Sequence, residues 1–251
     1  MTPSKMQVVG FAYRDVFRAF RAMPRTVLIA FLVCIVHYIL VMALTPTGIG
    51  EVFDGLMEFA LGVATAFFMT PFLIAVHRFI LLDERPTGYV LDFHSPRFMR
   101  FFGFSVLVSA LLEIPGTMWL ADVGSVASIG ALIVVTFVSL HLTLIFPAIA
   151  IDAPGANPNN AASDARGRLW FILLTGLLAV LPLLLILVPG LVVDVSLRLS
   201  MPAAGSEPPS LLLLLVFLNA VPVQAVLVAV ASHLYRSFAD RLKSGPGVVT
   251  A

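Results

Sequence analysis

Six long apolar segments constrain this sequence more strongly than any other feature. Each is about twenty residues long, and a helix of that length crosses the roughly 30 Å hydrocarbon core of a bilayer. Lipid offers the backbone no hydrogen-bond partners, so only helices and closed barrels can span it. The predicted spans are Thr26–Leu44, Met57–Leu81, Phe101–Leu120, Val126–Ile151, Leu169–Val193 and Ser210–Leu234.

The distribution of apolar residues within these segments favours helices over barrel strands. Barrel strands alternate between lipid-facing apolar and lumen-facing polar residues, whereas Leu177–Leu191 and Leu211–Leu218 are apolar on every face. Only 12% of the 251 residues are charged, about half the fraction in a soluble domain. The predicted fold class is therefore all-α: a polytopic transmembrane helical bundle of about six spans within residues 26–234.

The basic residues predict how the bundle is oriented. With six spans, fourteen of the fifteen lysine and arginine residues fall on one side of the membrane, and only Arg198 falls on the other. Lysine and arginine in short loops face the cytoplasm, so both termini are predicted to be cytoplasmic. The third span is short and contains Glu113 and Pro115, but omitting it would move a group of arginines across the membrane. The charges support this span independently of hydropathy.

Residues 1–25 are predicted to form a cytoplasmic amphipathic helix at the membrane surface. At 3.6 residues per turn, Val9, Ala12 and Val16 fall on one side, together with Phe20 and Met23. The opposite side would face anionic lipid headgroups; the alternative is a helix that only anchors the first span. Residues 235–251 are predicted to be a cytoplasmic tail. The candidate headgroup contacts are Arg14, Arg18, Arg21 and Arg25.

Polar residues inside the spans are few, and they are the candidates for chemistry. Ionisable side chains at membrane depth are costly and are by default functional hypotheses. Glu113 could pair with His37 or His141 to relay a proton or hold a cation. The alternatives are that Glu113 reaches the headgroups and that each histidine is a neutral residue joining two helices. The candidate intramembrane polar cluster comprises His37, Glu113, His141, Asn219 and Gln224.

Prolines recur inside the spans. A proline removes one backbone donor and crowds the carbonyl four residues earlier, which kinks a helix. Such kinks can expose carbonyl ligands, but membrane helices also tolerate proline without a functional role. Kinks are predicted at Pro71, Pro115, Pro147, Pro182, Pro189 and Pro222.

Motifs of enzymes and cofactor sites do not occur in the sequence. It contains no Gly-x-Ser-x-Gly elbow, no His-Glu-x-x-His zinc helix and no phosphate-binding glycine loop with lysine. No segment outside the spans exceeds about 25 residues, which is too short for a catalytic domain. We therefore expect no metal site, no cofactor and no enzymatic activity.

Three motifs at the membrane edges carry a resemblance to known proteins. They resemble those of bacterial six-span inner-membrane proteins, which are distantly similar to the YciC-like family and to the membrane domain of some glycerophosphodiester phosphodiesterases. The resemblance implies the fold and the bacterial inner membrane. It does not imply hydrolysis, because that chemistry belongs to a separate soluble domain. The motifs are His77-Arg78-Phe79-Ile80-Leu81 before an acidic-Arg-Pro turn, Pro147-Ala148-Ile149-Ala150-Ile151-Asp152 and Ala165-Arg166-Gly167-Arg168-Leu169-Trp170.

Two functions remain open from the sequence. The favoured one is a membrane scaffold or lipid-interacting protein, with the bilayer, anionic headgroups and a second copy or another membrane protein as partners. The alternative is a small solute or ion transporter that uses the intramembrane polar cluster. A net charge of +1 gives no indication of a nucleic acid partner.

Overall fold

The computed structural model describes residues 3–44, 51–86, 88–120, 124–200 and 211–244, and within them it is helical with no strand. Six helical segments are long and apolar enough to cross a membrane, so the predicted all-α transmembrane bundle is confirmed. The helices are α1 (Lys5–Ala22), α2 (Pro24–Leu44), α3 (Glu51–Leu82), α4 (Pro96–Leu120), α5 (Ser125–Leu142), α6 (Ile145–Ala150), α7 (Pro158–Ala165), α8 (Leu169–Leu185), α9 (Leu187–Ser200), α10 (Leu211–Phe238) and α11 (Arg241–Ser244).

The six candidate spans agree closely with the predicted ones. α2, α3, α4 and α10 each supply one, α5 with α6 supplies the fourth, and α8 with α9 supplies the fifth. The short third span, supported in the sequence mainly by charge, is a continuous helix that contains Pro115. The predicted start of the sixth span, Ser210, lies outside the described residues.

Two of the six span prolines interrupt their helices, and four do not. α5 ends at Leu142 and α6 begins at Ile145, two residues before Pro147. α8 ends at Leu185 and α9 begins two residues before Pro189. In both places the missing N–H leaves the carbonyl four residues earlier without its helical partner. Pro71, Pro115, Pro182 and Pro222 lie inside continuous helices.

α10 is the central helix of the bundle. It packs against α1, α2, α3, α8 and α9, while α3 also packs against α2 and α4. Small side chains allow the close approach, because Ala225 and Ala229 lie one turn apart and are both fully buried. Small residues at helix contacts are typical of membrane bundles, where association depends on close packing.

Basic side chains gather where α3 and α10 end and α4 and α8 begin, which we call the basic end. Arg78 and Arg97 both pair with Asp152, at 3.8 and 2.6 Å. Arg168 Nη1 donates to the carbonyl of Phe238 at 3.3 Å, and Arg236 donates to the carbonyl of Ile80. Arginines therefore join the helix ends to one another.

α1 lies across α8, α10 and α3 near the basic end. Ser4 and Gln7 form a reciprocal capping box at its start. Its apolar side, including Val9, Ala12 and Val16, is buried against these helices. The Tyr13 hydroxyl donates to the carbonyl of Ala179 at 2.7 Å, and burial raises the pKa of Tyr13 above its ordinary value.

The predicted cytoplasmic tail begins too early at residue 235. α10 continues to Phe238, and Leu242 of α11 is fully buried. Asp164 accepts hydrogen bonds from the backbone N–H groups of Arg241 and Leu242, at 3.2 and 3.0 Å. At Gly155, a Cβ would overlap the carbonyl oxygen of Arg241, so this contact requires glycine. Residues 245–251 of the predicted tail lie outside the described part of the chain.

Candidate functional site

A cavity of about 770 Å³ lies among the six spans. Its volume falls in the usual range for small-molecule sites, about 300–1,000 Å³. Its lining runs along α3 from Gly62 to His77, a stretch of about 22 Å at the rise of a helix. Most lining side chains are aliphatic or aromatic, and none of them belongs to Asp, Glu, Lys or Arg.

Aromatic side chains close the cavity toward the basic end. The ring centroids of His77 and Phe101 lie 5.9 Å apart, and those of Phe101 and Phe146 lie 5.2 Å apart. His77 and Leu234, which also line this end, are buried. Packed side chains therefore block the passage of a ligand from the cavity to the basic end.

Two exposed leucines line the cavity within candidate spans. Leu112 of α4 and Leu177 of α8 both line it, and their side chains are 49% and 58% exposed. Both residues lie inside helical segments that are long and apolar enough to cross a membrane. An opening beside them would lead to the surrounding hydrocarbon.

His77 forms a buried hydrogen bond that fixes its tautomer. Its Nδ1 lies 2.8 Å from Ser232 Oγ, and the Ser232 hydroxyl donates to the carbonyl of Val228 at 2.9 Å. Because a hydroxyl has one proton to donate, it accepts from Nδ1–H, which leaves Nε2 as an acceptor. Ser232 is fully buried and does not line the cavity, so this pair joins α3 to α10 and is not an accessible nucleophile and base.

Two members of the predicted polar cluster lie in the cavity. His37 and Gln224 both line it. The Nδ1 of His37 is 2.6 Å from Thr65 Oγ1, and its ring centroid is 4.9 Å from that of Phe217. His37 therefore joins α2 to α3 and α10 at the edge of the cavity.

The other three members do not join them, so the predicted cluster is not one site. Glu113 is exposed and does not line the cavity. It follows the lining residue Leu112, and one residue along a helix is a rotation of about 100°. The ring of His141 packs on Phe137 of its own helix, with Nδ1 2.8 Å from that residue's carbonyl oxygen. Asn219 donates to the carbonyl of Leu183 at 3.0 Å, which joins α10 to α8.

The structure adds polar residues that the sequence did not single out. Ser109 of α4 and Thr136 and Ser139 of α5 line the cavity together with Gln224. Serine and threonine are common in membrane helices, where they often bond to their own backbone, so their identity alone carries little signal. A helical wheel centred on the face of α4 that carries Ser105 and Leu112 would have selected Ser109.

The four candidate headgroup arginines lie on the side of α1 that faces away from the bundle, and at its junction with α2. Arg14 and Arg18 lie beside Asp15, at 3.5 and 3.3 Å. Arg21 and Arg25 have no carboxylate within ion-pair distance in the described parts of the chain. Arg21 instead lies over the ring of Phe17, 4.1 Å from its centroid.

A smaller pocket of about 250 Å³ lies between α3 and the loop before α4, and Arg78 and Arg97 line it. Its charges are already neutralised, because Arg78 pairs with Glu84 at 2.5 Å and both arginines pair with Asp152. In the same loop the Tyr89 hydroxyl donates to the carbonyl of Phe68, and burial raises the pKa of Tyr89 to about 12. These contacts support the loop and do not form a free anion site.

Comparison with known proteins assigns no function to the cavity. The chain matches no family model, no curated protein and no solved structure.

Proposed function

We propose that this protein is a lipid-interacting membrane protein that takes a hydrocarbon chain into its central cavity. The observation that carries the proposal is the largely apolar lining of the cavity, in which the exposed side chains of Leu112 and Leu177 lie within candidate spans. An acyl chain from the surrounding lipid that enters beside them does not cross water. Of the two roles that the sequence favours, scaffold and lipid interaction, the cavity supports the second.

The alternative, a solute or ion transporter, has less support from the same geometry. A translocation path for a polar solute needs polar groups along its length, and intramembrane ionisable residues usually face such a path. Here Glu113 is exposed outside the cavity lining, and His141 bonds to its own helix. A binding role is also proposed in place of catalysis, because Ser232, the hydroxyl beside His77, lies outside the cavity wall.

The proposed location is the bacterial inner membrane, with both termini in the cytoplasm. The basic end supports this orientation, because arginines gather there and basic segments stay on the cytoplasmic side. The resemblance of the membrane-edge motifs to bacterial inner-membrane proteins supports the same location. The exposed arginines of α1 are proposed to contact anionic headgroups, and a second copy or another membrane protein stays a predicted partner.

Photolabelling in lipid nanodiscs tests the uptake of a hydrocarbon chain. The probe is a sixteen-carbon chain that carries a diazirine, and labelled peptides are identified by mass spectrometry. We expect label on peptides that line the cavity from α3, α4 and α10. Gly176→Leu should reduce this label about tenfold, because its new side chain occupies space that several methylene groups of the probe would fill, each worth about 0.8 kcal/mol.

Gly130→Leu is the matched control. Gly130 lies in a span but does not line the cavity. A Cβ at Gly130 would meet no atom within 4 Å, and a Cβ at Gly176 would meet only Leu227 Cδ2, at 3.9 Å. Its label should equal that of the unaltered protein. Equal loss in both variants, or label spread evenly over the lipid-facing surfaces of all six spans, would exclude the cavity as the binding site.

A further inference from the structure

Four polar side chains form a belt inside the cavity. They are Ser109 of α4, Thr136 and Ser139 of α5, and Gln224 of α10, and we call them the hydroxyl–amide belt. Ser109, Thr136 and Gln224 each lie 13 or 14 residues from the basic end of their own span, which is about 20 Å along a helix. Three helices therefore present polar groups to the cavity at a similar depth.

The belt has unused hydrogen-bonding capacity. The Oγ of Ser139 is buried and has no hydrogen-bond partner. The side chains of Ser109, Thr136 and Gln224 also make no hydrogen bond within the described part of the chain. Buried polar groups in proteins are nearly always paired, so the buried Ser139 Oγ calls for an explanation, whereas Ser109 is exposed and Thr136 and Gln224 are partly buried. A ligand group or bound water at this position would provide the missing partners.

The hydroxyl of Ser105, also on α4, differs from that of Ser109 because it is already hydrogen-bonded. Ser105 lies one turn from Ser109 and also lines the cavity, but its hydroxyl donates to the carbonyl of Phe101 at 3.0 Å. A serine hydroxyl in a helix commonly donates to the backbone carbonyl one turn earlier in the same helix. Ser109 does not, so its hydroxyl stays available to the cavity.

The chemistry of the belt selects an uncharged group. Among the residues that the structure describes, no Asp, Glu, Lys or Arg lines the cavity, and an unpaired charge at this depth is strongly unfavourable. A phosphate headgroup would find no cation among these side chains. Hydroxyl and amide groups both donate and accept, so they suit a hydroxyl or an ester.

We infer that the ligand is a single-chain lipid with an uncharged oxygen-bearing head, a long-chain alcohol or a monoacylglycerol, whose head bonds to the hydroxyl–amide belt. This inference rests on the proposed function, since it requires that the cavity takes up a hydrocarbon chain. The chain would fill the apolar part of the cavity, and Gln224 would supply both a donor and an acceptor to the head.

Photoreactive probes with one chain and different heads test the inference. Each carries the same sixteen-carbon diazirine chain, ending in a methyl group, a hydroxyl, a glycerol ester, a carboxylate or a phosphate. The full-length protein in nanodiscs is labelled with each. We expect the hydroxyl and glycerol ester probes to label cavity peptides about tenfold more than the carboxylate and phosphate probes. A tenfold ratio corresponds to a difference of about 1.4 kcal/mol in binding free energy.

Three variants separate recognition of the head from folding. Ser109→Ala and Gln224→Leu should each reduce labelling by the glycerol ester probe about fivefold to tenfold relative to labelling by the methyl-terminated probe. Ser128→Ala is the control, because Ser128 does not line the cavity and its hydroxyl donates to the carbonyl of Gly124 at 3.3 Å. It should change labelling by neither probe.

The outcomes distinguish the two proposals. If all heads label the cavity equally and the belt variants have no effect, the belt holds only water and this inference is wrong, while the proposed uptake of a chain stands. If no probe labels the cavity, both are wrong.

Discussion

At the scale of single residues, Asp15 is a buried carboxylate with three basic neighbours, Arg14, Arg18 and His233. It is 5% exposed, and its Oδ2 lies 3.0 Å from His233 Nε2 of α10. Arg18 Nη1 lies 3.3 Å from its other oxygen. Asp15 is the only acidic residue in α1, so a helix with a basic outer side places its one carboxylate against the bundle, beside the Tyr13 hydrogen bond and the buried apolar side chains.

Replacement of Asp15 should therefore weaken the attachment of α1. Asp15→Ala leaves the partly buried ring of His233 without its carboxylate partner and should lower the free energy of unfolding by about 2–3 kcal/mol. For a chain of this length we expect the midpoint of thermal unfolding in detergent to fall by about 4–12 °C.

Asp83→Asn is the control for Asp15. The Asp83 side chain is 79% exposed, and it lies 3.9 Å from Arg18. Asparagine tolerates the left-handed backbone at this position, where φ is 56°, so loss of the charge should change the midpoint by less than about 2 °C. An equal effect of the two substitutions would show that the Asp15–His233 contact does not stabilise the fold.

At the scale of the helix, α1 presents two different surfaces. The inner surface is apolar and buried against α8 and α10. The outer one carries arginines beside exposed aromatic rings, with Arg14 5.1 Å from the centroid of Phe11 and Arg21 4.1 Å from that of Phe17. Aromatic and basic side chains together are typical of the membrane–water interface. The helix therefore has a protein-facing side and a side suited to headgroups.

The unpaired arginines should contribute most to headgroup binding. The double variant Arg21→Gln and Arg25→Gln should reduce the phosphatidylglycerol retained by the purified protein, measured by native mass spectrometry. At about 1 kcal/mol for each arginine, the affinity should fall by about 25-fold or more.

Arg14→Gln with Arg18→Gln is the matched pair, because both of these arginines lie beside Asp15. This pair should have a smaller effect, since Asp15 already neutralises part of the charge. If both pairs retain as much phosphatidylglycerol as the unaltered protein, the arginines of α1 do not bind headgroups.

At the scale of the whole molecule, the proposed orientation in the membrane rests on the basic end. The loop before α4 and the first turn of α5 are predicted on opposite sides. His94 and Ser125 are exposed in these two places, and the single cysteine, Cys34, is buried. Introduced cysteines can therefore report each side separately.

A membrane-impermeant maleimide applied to intact cells measures this orientation. In a Cys34→Ala background, Ser125→Cys should react from outside, and His94→Cys should react only after permeabilisation. The unaltered chain should not react in either case. Reaction of His94→Cys in intact cells would reverse the proposed orientation.

The positions of partners across the bundle could not be predicted from the sequence. His77 and Ser232 are 155 residues apart, and Asp15 and His233 are 218 apart. His77 and His233 lie near the ends of predicted spans, where hydropathy places them at the membrane edge, so the sequence indicated no burial. Glu113 was the sharpest polar candidate, but hydropathy places a residue in a span without specifying which way its side chain faces.

The sequence by itself determined the number of spans and the division of charge between the two sides of the helical bundle. Both depend on local properties of the chain, because a long apolar segment forms a helix in which every backbone group is paired, whatever its neighbours are. It also indicated the prolines at the two helix breaks. Only the tertiary structure decided which polar side chains meet. The cavity exists because six helices pack at particular rotations, and a rotation of about 100° per residue separates Leu112, which lines it, from Glu113, which does not.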